Sequence, residues 1–575
     1  MAEETRAGPR RAPAGAALGL GLSLALLLRL WGIGHGYPDC VAADERPVIL
    51  DAVRFAADHT LEPHHLNYPD LFSYLFTLAL YLAHATGGLL DVGGAGVSIR
   101  FAHFFEPARV ALAGRLLSAA AGVATVALTW RLGRRAYGEA VGLGGALFAA
   151  VSAALVAQAR YALPDVTMAC LATAACGSMV EVAQRGRPRD SLLGGLLTGL
   201  AISTKYNAGM LLGGLATAHL LAARREGPGW KAGAPALAGA AVAVGFALGS
   251  PYWLVMPGDY LQALAQVYSN LQFSLRVTEW PRLALLAGFV RAETVWGVVA
   301  VAGILYAAWR RTAPDWILLA IVVPAFAYVG AWPKGGMHYV LFAFPLAGLL
   351  AARLVTEGLG HRARAWALPL LAAACLPQVW VAARDGQALR RQDVRTEAAR
   401  WIEANIPSGT TVGIYRLDYT PPLKGDVHRD LLRQLIAAGQ ASPAATARLR
   451  EMERRMPVYT QLTLEYFMDE PVVPAAYRAT VDAADPKTRE IYRRTWMEYG
   501  DLKRWQVRYA VLPSAGYERF LTGEPPPAGT AARYYFDRSR TYVEALLAPG
   551  SGQYRTVRQF GTAGRGGTIA IVEVL

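Results

Sequence analysis

Long apolar runs joined by short connections fill residues 1–383, and they constrain this chain more than any other feature. An α-helix needs about 20 mostly apolar residues to cross a bilayer. Such runs cover 14–32, 109–130, 140–158, 166–183, 190–204, 206–223, 234–254, 289–309, 314–332, 337–355 and 365–383. Beyond them, polar and charged residues return at the spacing of an ordinary domain. Only 17% of the 575 residues are charged, against about 25% in soluble proteins. The expected architecture is a polytopic α-helical membrane domain over 1–385 and a soluble α/β or α+β domain over 386–575.

The charges set the expected topology. The formal net charge of +14 comes largely from short basic clusters between apolar runs: RLGRR (131–135), RGRPR (185–189), RREGPGWK (224–231), RR (310–311) and the segment from Arg353 to Arg364. That is the positive-inside pattern of a membrane protein and argues against nucleic acid as a partner. A twelfth apolar segment, 71–90, is read as a helix lying at the membrane surface, with Tyr74 and Tyr81 in the headgroup layer. Every basic cluster then shares the cytoplasmic side with Arg6, Arg10 and Arg11, and eleven spans place the C-terminal domain outside; counting 71–90 as a span would reverse the clusters. The first run lacks a convincing cleavage site and reads as an uncleaved span. Cys40, Cys170, Cys176 and Cys375 form neither a disulfide framework nor a CxxC metal site.

Against this topology, Arg160, Lys205 and Lys334 stand out as basic residues in short non-cytoplasmic connections. Snorkelling from a helix end explains any one of them. Three together point to an anionic ligand such as a phosphate. The first outer loop, 33–108, is longer than a connection requires, and such loops tend to be functional. From Glu45 to Asp58 the apolar positions Val48, Ile49, Ala52, Val53 and Ala56 recur at helical spacing, which predicts an amphipathic surface helix. Asp44 and Glu45 open it. Asp44 serves there either as a helix cap or as a base at the membrane edge. A second outer acid, Asp165, follows Arg160 across a Pro-containing turn and is either half of a loop ion pair or part of the same site. His59, His64 and His65 match no strong zinc spacing, so no metal site is assigned. The second long outer loop, 255–288, is expected to hold another surface helix, with Tyr260, Tyr268, Phe273 and Trp280 as a lid, an acceptor wall or an interfacial belt.

The order of these features resembles the GT-C fold glycosyltransferases. More narrowly, it is similar to the bacterial relatives of dolichyl-phosphate-mannose protein mannosyltransferases and of the aminoarabinose transferase of lipid A. The resemblance rests on the Asp44–Glu45 pair, the segment Tyr68-Pro69-Asp70-Leu71, ARYALPD (159–165), GLLTGLAISTKYNAGMLL (195–212), HYVLFAFPLAGLLAA (338–352) and TEAARWIEANIPSGTTVGI (396–414). It implies an inverting transfer of a hexosyl or pentosyl group from a polyprenyl-phosphate sugar to a protein, lipid or glycan acceptor on the extracytoplasmic face of a bacterial-type inner membrane. Carried over by position, Asp44 is the expected base, Glu45 completes the pair, and Asp165 orients the acceptor or the first loop. Arg160, Lys205 and His338 fall where donor-phosphate contacts are expected, and Lys334 joins them by location alone. Protein cations facing a lipid monophosphate can substitute for a divalent metal, so no metal cofactor is expected. One departure concerns the lipid A relatives: no lysine lies between Asp44 and Leu90. The competing readings are a transporter or flippase for a lipid-linked or small anionic substrate, and a non-catalytic polyprenyl-phosphate binder. No internal repeat or matched pair of broken spans supports the transporter.

Overall fold

The computed structural model describes residues 14–86, 99–227, 233–272, 281–332, 336–359, 363–415, 419–439, 443–464, 499–528, 531–548, 552–561 and 567–575. Lys334, Phe273 and Trp280 lie outside the described residues. Helices α1 (Ala14–Leu30), α2 (Glu45–Asp58), α3 (Leu71–Ala85) and α4 (Ile99–Phe105) precede the long α5 (Pro107–Tyr137). Then come α6 (Glu139–Val151), α7 (Ala153–Gln158), α8 (Asp165–Arg185), α9 (Pro188–Ile202), α10 (Leu211–Glu226) and α11 (Gly233–Gly249). The second long loop forms α12 (Tyr252–Val255) and α13 (Pro257–Gln272), and α14 (Pro281–Arg310), α15 (Ala313–Val329), α16 (Phe344–Gly358), α17 (Ala367–Ala374) and α18 (Leu376–Leu389) complete the apolar part. Among the described residues, five stretches are long and apolar enough to cross a membrane: Pro107–Tyr137, Asp165–Arg185, Leu283–Arg310, Met337–Gly358 and Ala367–Asn405.

Close packing in this bundle depends on small residues, as expected where lipid removes the hydrophobic drive between helices. A methyl group on Gly199 of α9 would sit 2.1 Å from the Val242 carbonyl oxygen of α11, and one on Gly245 would sit 2.4 Å from that of Leu196.

Three runs that read as continuous helices are broken. Ser152 (φ −45°, ψ 119°) separates α6 from α7, Thr294 (φ 51°, ψ −126°) kinks α14, and Cys375 separates α17 from α18. Backbone groups freed inside a membrane domain need internal partners. Buried Glu293 supplies them: its carboxylate accepts from Ser152 Oγ (2.8 Å) and Ala154 N (3.2 Å), and its carbonyl accepts from Gln378 Nε2.

The first-loop helices form a separate layer. Val48, Ile49, Phe76, Leu80 and Phe101 share a core with Leu432, Leu449 and Met456 of the helices α20 (Asp426–Ala437) and α21 (Pro443–Arg455), which follow α19 (Val394–Asn405). His428 packs edge-on against Phe104 and Phe105 in the same layer. At 15 residues α3 is about 22 Å long, short of a bilayer core. Both ends are held by loop elements: Leu71 N donates to Ser203 O (3.0 Å), and Tyr81 Oη to Ala56 O (3.1 Å).

The C-terminal part carries a mixed five-stranded sheet of β1 (Thr411–Ile414), β2 (Thr460–Thr463), β3 (Tyr509–Pro513), β4 (Tyr554–Phe560) and β5 (Ile569–Val574), in the order β2-β1-β3-β5-β4. β1 runs parallel to β2 and β3, while β5 pairs antiparallel with β3 and with β4.

Candidate active site

The two acids that open α2 are adjacent in sequence and opposite in use. Successive helical residues point about 100° apart, so one turns inward and the other outward. Glu45 is fully buried, and its carboxylate receives Arg115 Nε (2.8 Å) and Nη2 (2.8 Å) in a two-pronged pair. It also caps the backbone N–H groups of Ala42 (2.9 Å) and Ala162 (2.8 Å). Arg115 in turn donates to the carbonyls of Ile33 (3.1 Å) and His35 (2.8 Å). This one ion pair ties the start of the first loop, α2, α5 and the connection before α8 together. Burial alone would raise the Glu45 pKa, but the Arg115 hydrogen bonds and charge overcome it and hold the carboxyl below its ordinary value. The expectation that Glu45 shares the chemistry with Asp44 is thus met by a different geometry: its oxygens are committed to protein partners. Arg115 went unnoticed in sequence, although an arginine inside the apolar run 109–130 is a signal of the kind that marks intramembrane function.

Asp44 occupies the N-cap position of α2, yet its side chain makes no capping hydrogen bond and the residue is exposed. While the Glu45 carboxylate serves the N–H groups of Ala42 and Ala162, that of Asp44 is left open. Across from it, Lys205 and Asp165 form a buried pair at 2.7 Å, with Lys205 Nζ also 5.3 Å from the Tyr68 ring and 5.0 Å from the Tyr339 ring. Asp44, Asp165 and Lys205 all lie within electrostatic reach of His338 and Tyr339. Burial, and then the charges of Asp165 and Asp44, push the Tyr68 phenol pKa well up. Asn207 Nδ2 donates to Tyr339 O (3.1 Å), joining the short turn after α9 to the turn before α16. Four of the residues singled out in sequence, Asp44, Asp165, Lys205 and His338, therefore converge from four separate stretches. Tyr68 and Tyr339 complete the wall, with aromatic faces that an ammonium group favours.

Arg160 is not part of this cluster. It is 1% exposed, and its guanidinium donates to Leu28 O (3.2 Å from Nε, 2.8 Å from Nη2) and Ala382 O (2.7 Å). In place of the expected phosphate contact, the guanidinium clasps a carbonyl in the last turn of α1 and one in the middle of α18.

Next to the cluster lies a second buried set that sequence did not foresee. Tyr260, expected in a lid or wall, is fully buried; its hydroxyl donates to Asp70 Oδ2 (2.5 Å) and its ring stacks on Trp253, whose Nε1 donates to Tyr206 Oη (3.0 Å). This set docks α13 on the first loop, two residues from Tyr68 and one from Lys205. Burial lifts the Asp70 pKa to about 6 from 3.8 despite the Tyr260 hydrogen bond. The native state then holds a proton that the unfolded chain has lost, so stability falls as pH rises from about 4 to 6. Asp70→Asn is expected to remove that slope in thermal unfolding measured against pH; a slope unchanged in the variant would assign it elsewhere.

Residues 107–254 match the family model described as dolichyl-phosphate-mannose-protein mannosyltransferase. No curated protein sequence matches the chain. Among solved structures, the chain is similar to ArnT from Cupriavidus metallidurans in the apo state, at TM-score 0.54 and 12% identity, covering 98% of this chain and 99% of that one. The same enzyme bound to undecaprenyl phosphate gives TM-score 0.52 and 14% identity over the same shares. The apo oligosaccharyltransferase of Archaeoglobus fulgidus gives TM-score 0.52 and 13% identity, covering 96% of this chain and 80% of that one. The chain is thus a multi-pass membrane protein with the GT-C fold of glycosyltransferases, and its residues 107–254 carry the mannosyltransferase family match.

Proposed function

We propose that the chain transfers a sugar from a polyprenyl-phosphate donor to an acceptor hydroxyl or amine on the extracytoplasmic face, with inversion. The observation that carries this reading is the open Asp44 carboxylate facing the buried Lys205–Asp165 pair. In the reaction, the bond between the anomeric carbon and the phosphate oxygen breaks and its electrons go to the lipid phosphate. The acceptor atom bonds to the anomeric carbon from the opposite side, and its proton passes to Asp44. Lys205, anchored by Asp165 through one of its three N–H donors, offsets the charge growing on the phosphate, with His338 beside it. Asp165 is a positioning residue in this scheme. The leaving group is a monophosphate, which these groups accommodate without a metal cofactor.

The reading includes eleven spans with α3 on the membrane surface, the N-terminus cytoplasmic and residues 386–575 outside. It is supported by the length of α3, by the loop partners at both its ends, and by the core it shares with α20 and α21. The resemblance to an enzyme crystallised with undecaprenyl phosphate supports a polyprenyl donor. A panel of radiolabelled polyprenyl-phosphate sugars incubated with membranes containing the full chain tests the reaction. Transfer from at least one donor, insensitive to EDTA, is expected. Lys205→Met should weaken it by about 10²-fold or more, as for loss of one preorganised donor to a developing anion. An undiminished Lys205→Met rate would remove Lys205 from phosphate binding, and lipid export without transfer would replace the enzyme by a transporter.

A further inference from the structure

A second, separate cavity opens where α1 ends and α18 passes into α19. It has a volume of about 400 Å³, and Gly32, Gly34, His35, Arg390, Arg391 and Arg400 are among the residues around it. Its floor comes from a close approach: a methyl on Gly32 (φ +87°) would lie 2.5 Å from the Gly386 carbonyl oxygen, so only glycine lets the end of α1 reach α18. That contact sets the Arg390 guanidinium 4.6 Å from the centroid of the exposed Trp31 ring.

The cavity is basic in a way the sequence does not require. Arg390, Arg391 and Arg400 are exposed, and Arg390 and Arg391 lie beside no carboxylate but Asp393 in the lining of the cavity. The nearby acid, Asp393, is already neutralised: it receives Arg395 Nε (3.0 Å), Nη2 (2.7 Å) and the Arg395 backbone N–H (2.9 Å). Three exposed guanidinium groups therefore line one opening, and only Arg400 has a further carboxylate, Glu403, within electrostatic reach. They also follow directly on the last apolar run, on the side that the topology proposed above makes extracytoplasmic, where the positive-inside rule makes basic residues rare. The lining of this cavity includes none of Asp44, Asp165, Lys205 and His338; its Ile33 and His35 carbonyls accept from Arg115, the partner of buried Glu45. The two sites are distinct.

We propose that this cavity binds the phosphate headgroup of an anionic membrane phospholipid. Planar guanidinium forks suit phosphate oxygens, Trp31 is an amphipathic ring at headgroup depth, and the opening lies at the ends of two apolar helices, where a lipid diffusing in the outer leaflet meets it. The site serves neither the donor sugar nor the base; it holds the junction between the membrane domain and the linker to the C-terminal sheet against the bilayer.

Native mass spectrometry of the full chain in detergent, titrated with phosphatidylglycerol or phosphatidylcholine, tests this. Juxtamembrane basic residues each contribute about fivefold to anionic-lipid binding. Removing Arg391 and Arg400 together as R391Q/R400Q should therefore lower phosphatidylglycerol occupancy by about 25-fold in affinity, with phosphatidylcholine occupancy unchanged. This pair leaves the Arg390–Trp31 stack intact, so the variant keeps its packing; R390Q/R391Q/R400Q should lose more. Equal phosphatidylglycerol binding by wild type and R391Q/R400Q overturns the proposal. So does equal loss of both lipids, or binding of free glycerol phosphate as tight as that of phosphatidylglycerol, which would assign the cavity to a soluble phosphate. None of these readouts depends on sugar transfer.

Discussion

Replacing Asp44 by Asn is expected to lower sugar transfer by about 10²- to 10⁴-fold, the range for removing a general base, while donor binding and thermal stability stay near wild type. The stability part follows from the structure: the Asp44 side chain is exposed and makes no capping hydrogen bond, so an isosteric amide takes nothing from the fold. The activity part follows from the open carboxylate facing Lys205 and Asp165. Single-turnover transfer with bound donor separates the two. A large fall in kcat with little change in donor affinity is the signature of a group that acts only in the transition state. Unchanged transfer by Asp44→Asn would remove it as base and leave the polyprenyl-phosphate binder as the better reading.

Glu45→Gln, one residue away, is expected to act in the opposite manner. It leaves Arg115 charged and buried without its counter-ion, a defect that costs about 3–5 kcal/mol, and the folded protein should be lost or its unfolding temperature sharply lowered. Activity would fall with the amount of folded protein, and the activity per folded molecule would be retained. The same pair makes stability depend on pH. The Glu45 carboxyl is held below its unfolded value by Arg115, so the stabilisation is complete above the unfolded carboxyl range and is lost as pH falls through the lowered folded value. Acid unfolding that begins at the same pH in wild type and Glu45→Gln would contradict this. A stable but inactive Glu45→Gln protein would return Glu45 to the chemistry.

This contrast shows why a sequence reading handles the site unevenly. The DE pair was visible, and so was the amphipathic helix behind it, because burial of Val48, Ile49, Ala52, Val53 and Ala56 imposes a period that can be read one residue at a time. Which acid turned inward was not visible, since it depends on where Arg115, 70 residues later, places its guanidinium. Arg160 illustrates the same limit. As a basic residue at a helix end it resembled a phosphate ligand, but backbone carbonyls of α1 and α18 lay within its reach. Lys205 differs only in what surrounds it: a carboxylate and two aromatic rings instead of carbonyls.

By itself the sequence determined the class of molecule, the apolar segments and the helices of both long loops. These are local properties, set by hydropathy, periodicity and turn residues within a few neighbours of each position. Only the tertiary structure decided the breaks at Ser152, Thr294 and Cys375, the docking of Tyr260 on Asp70, and the convergence of Asp44, Asp165, Lys205 and His338. A charged or polar side chain in an apolar domain is committed by the one partner that can satisfy it, and in this chain that partner usually lies many residues away.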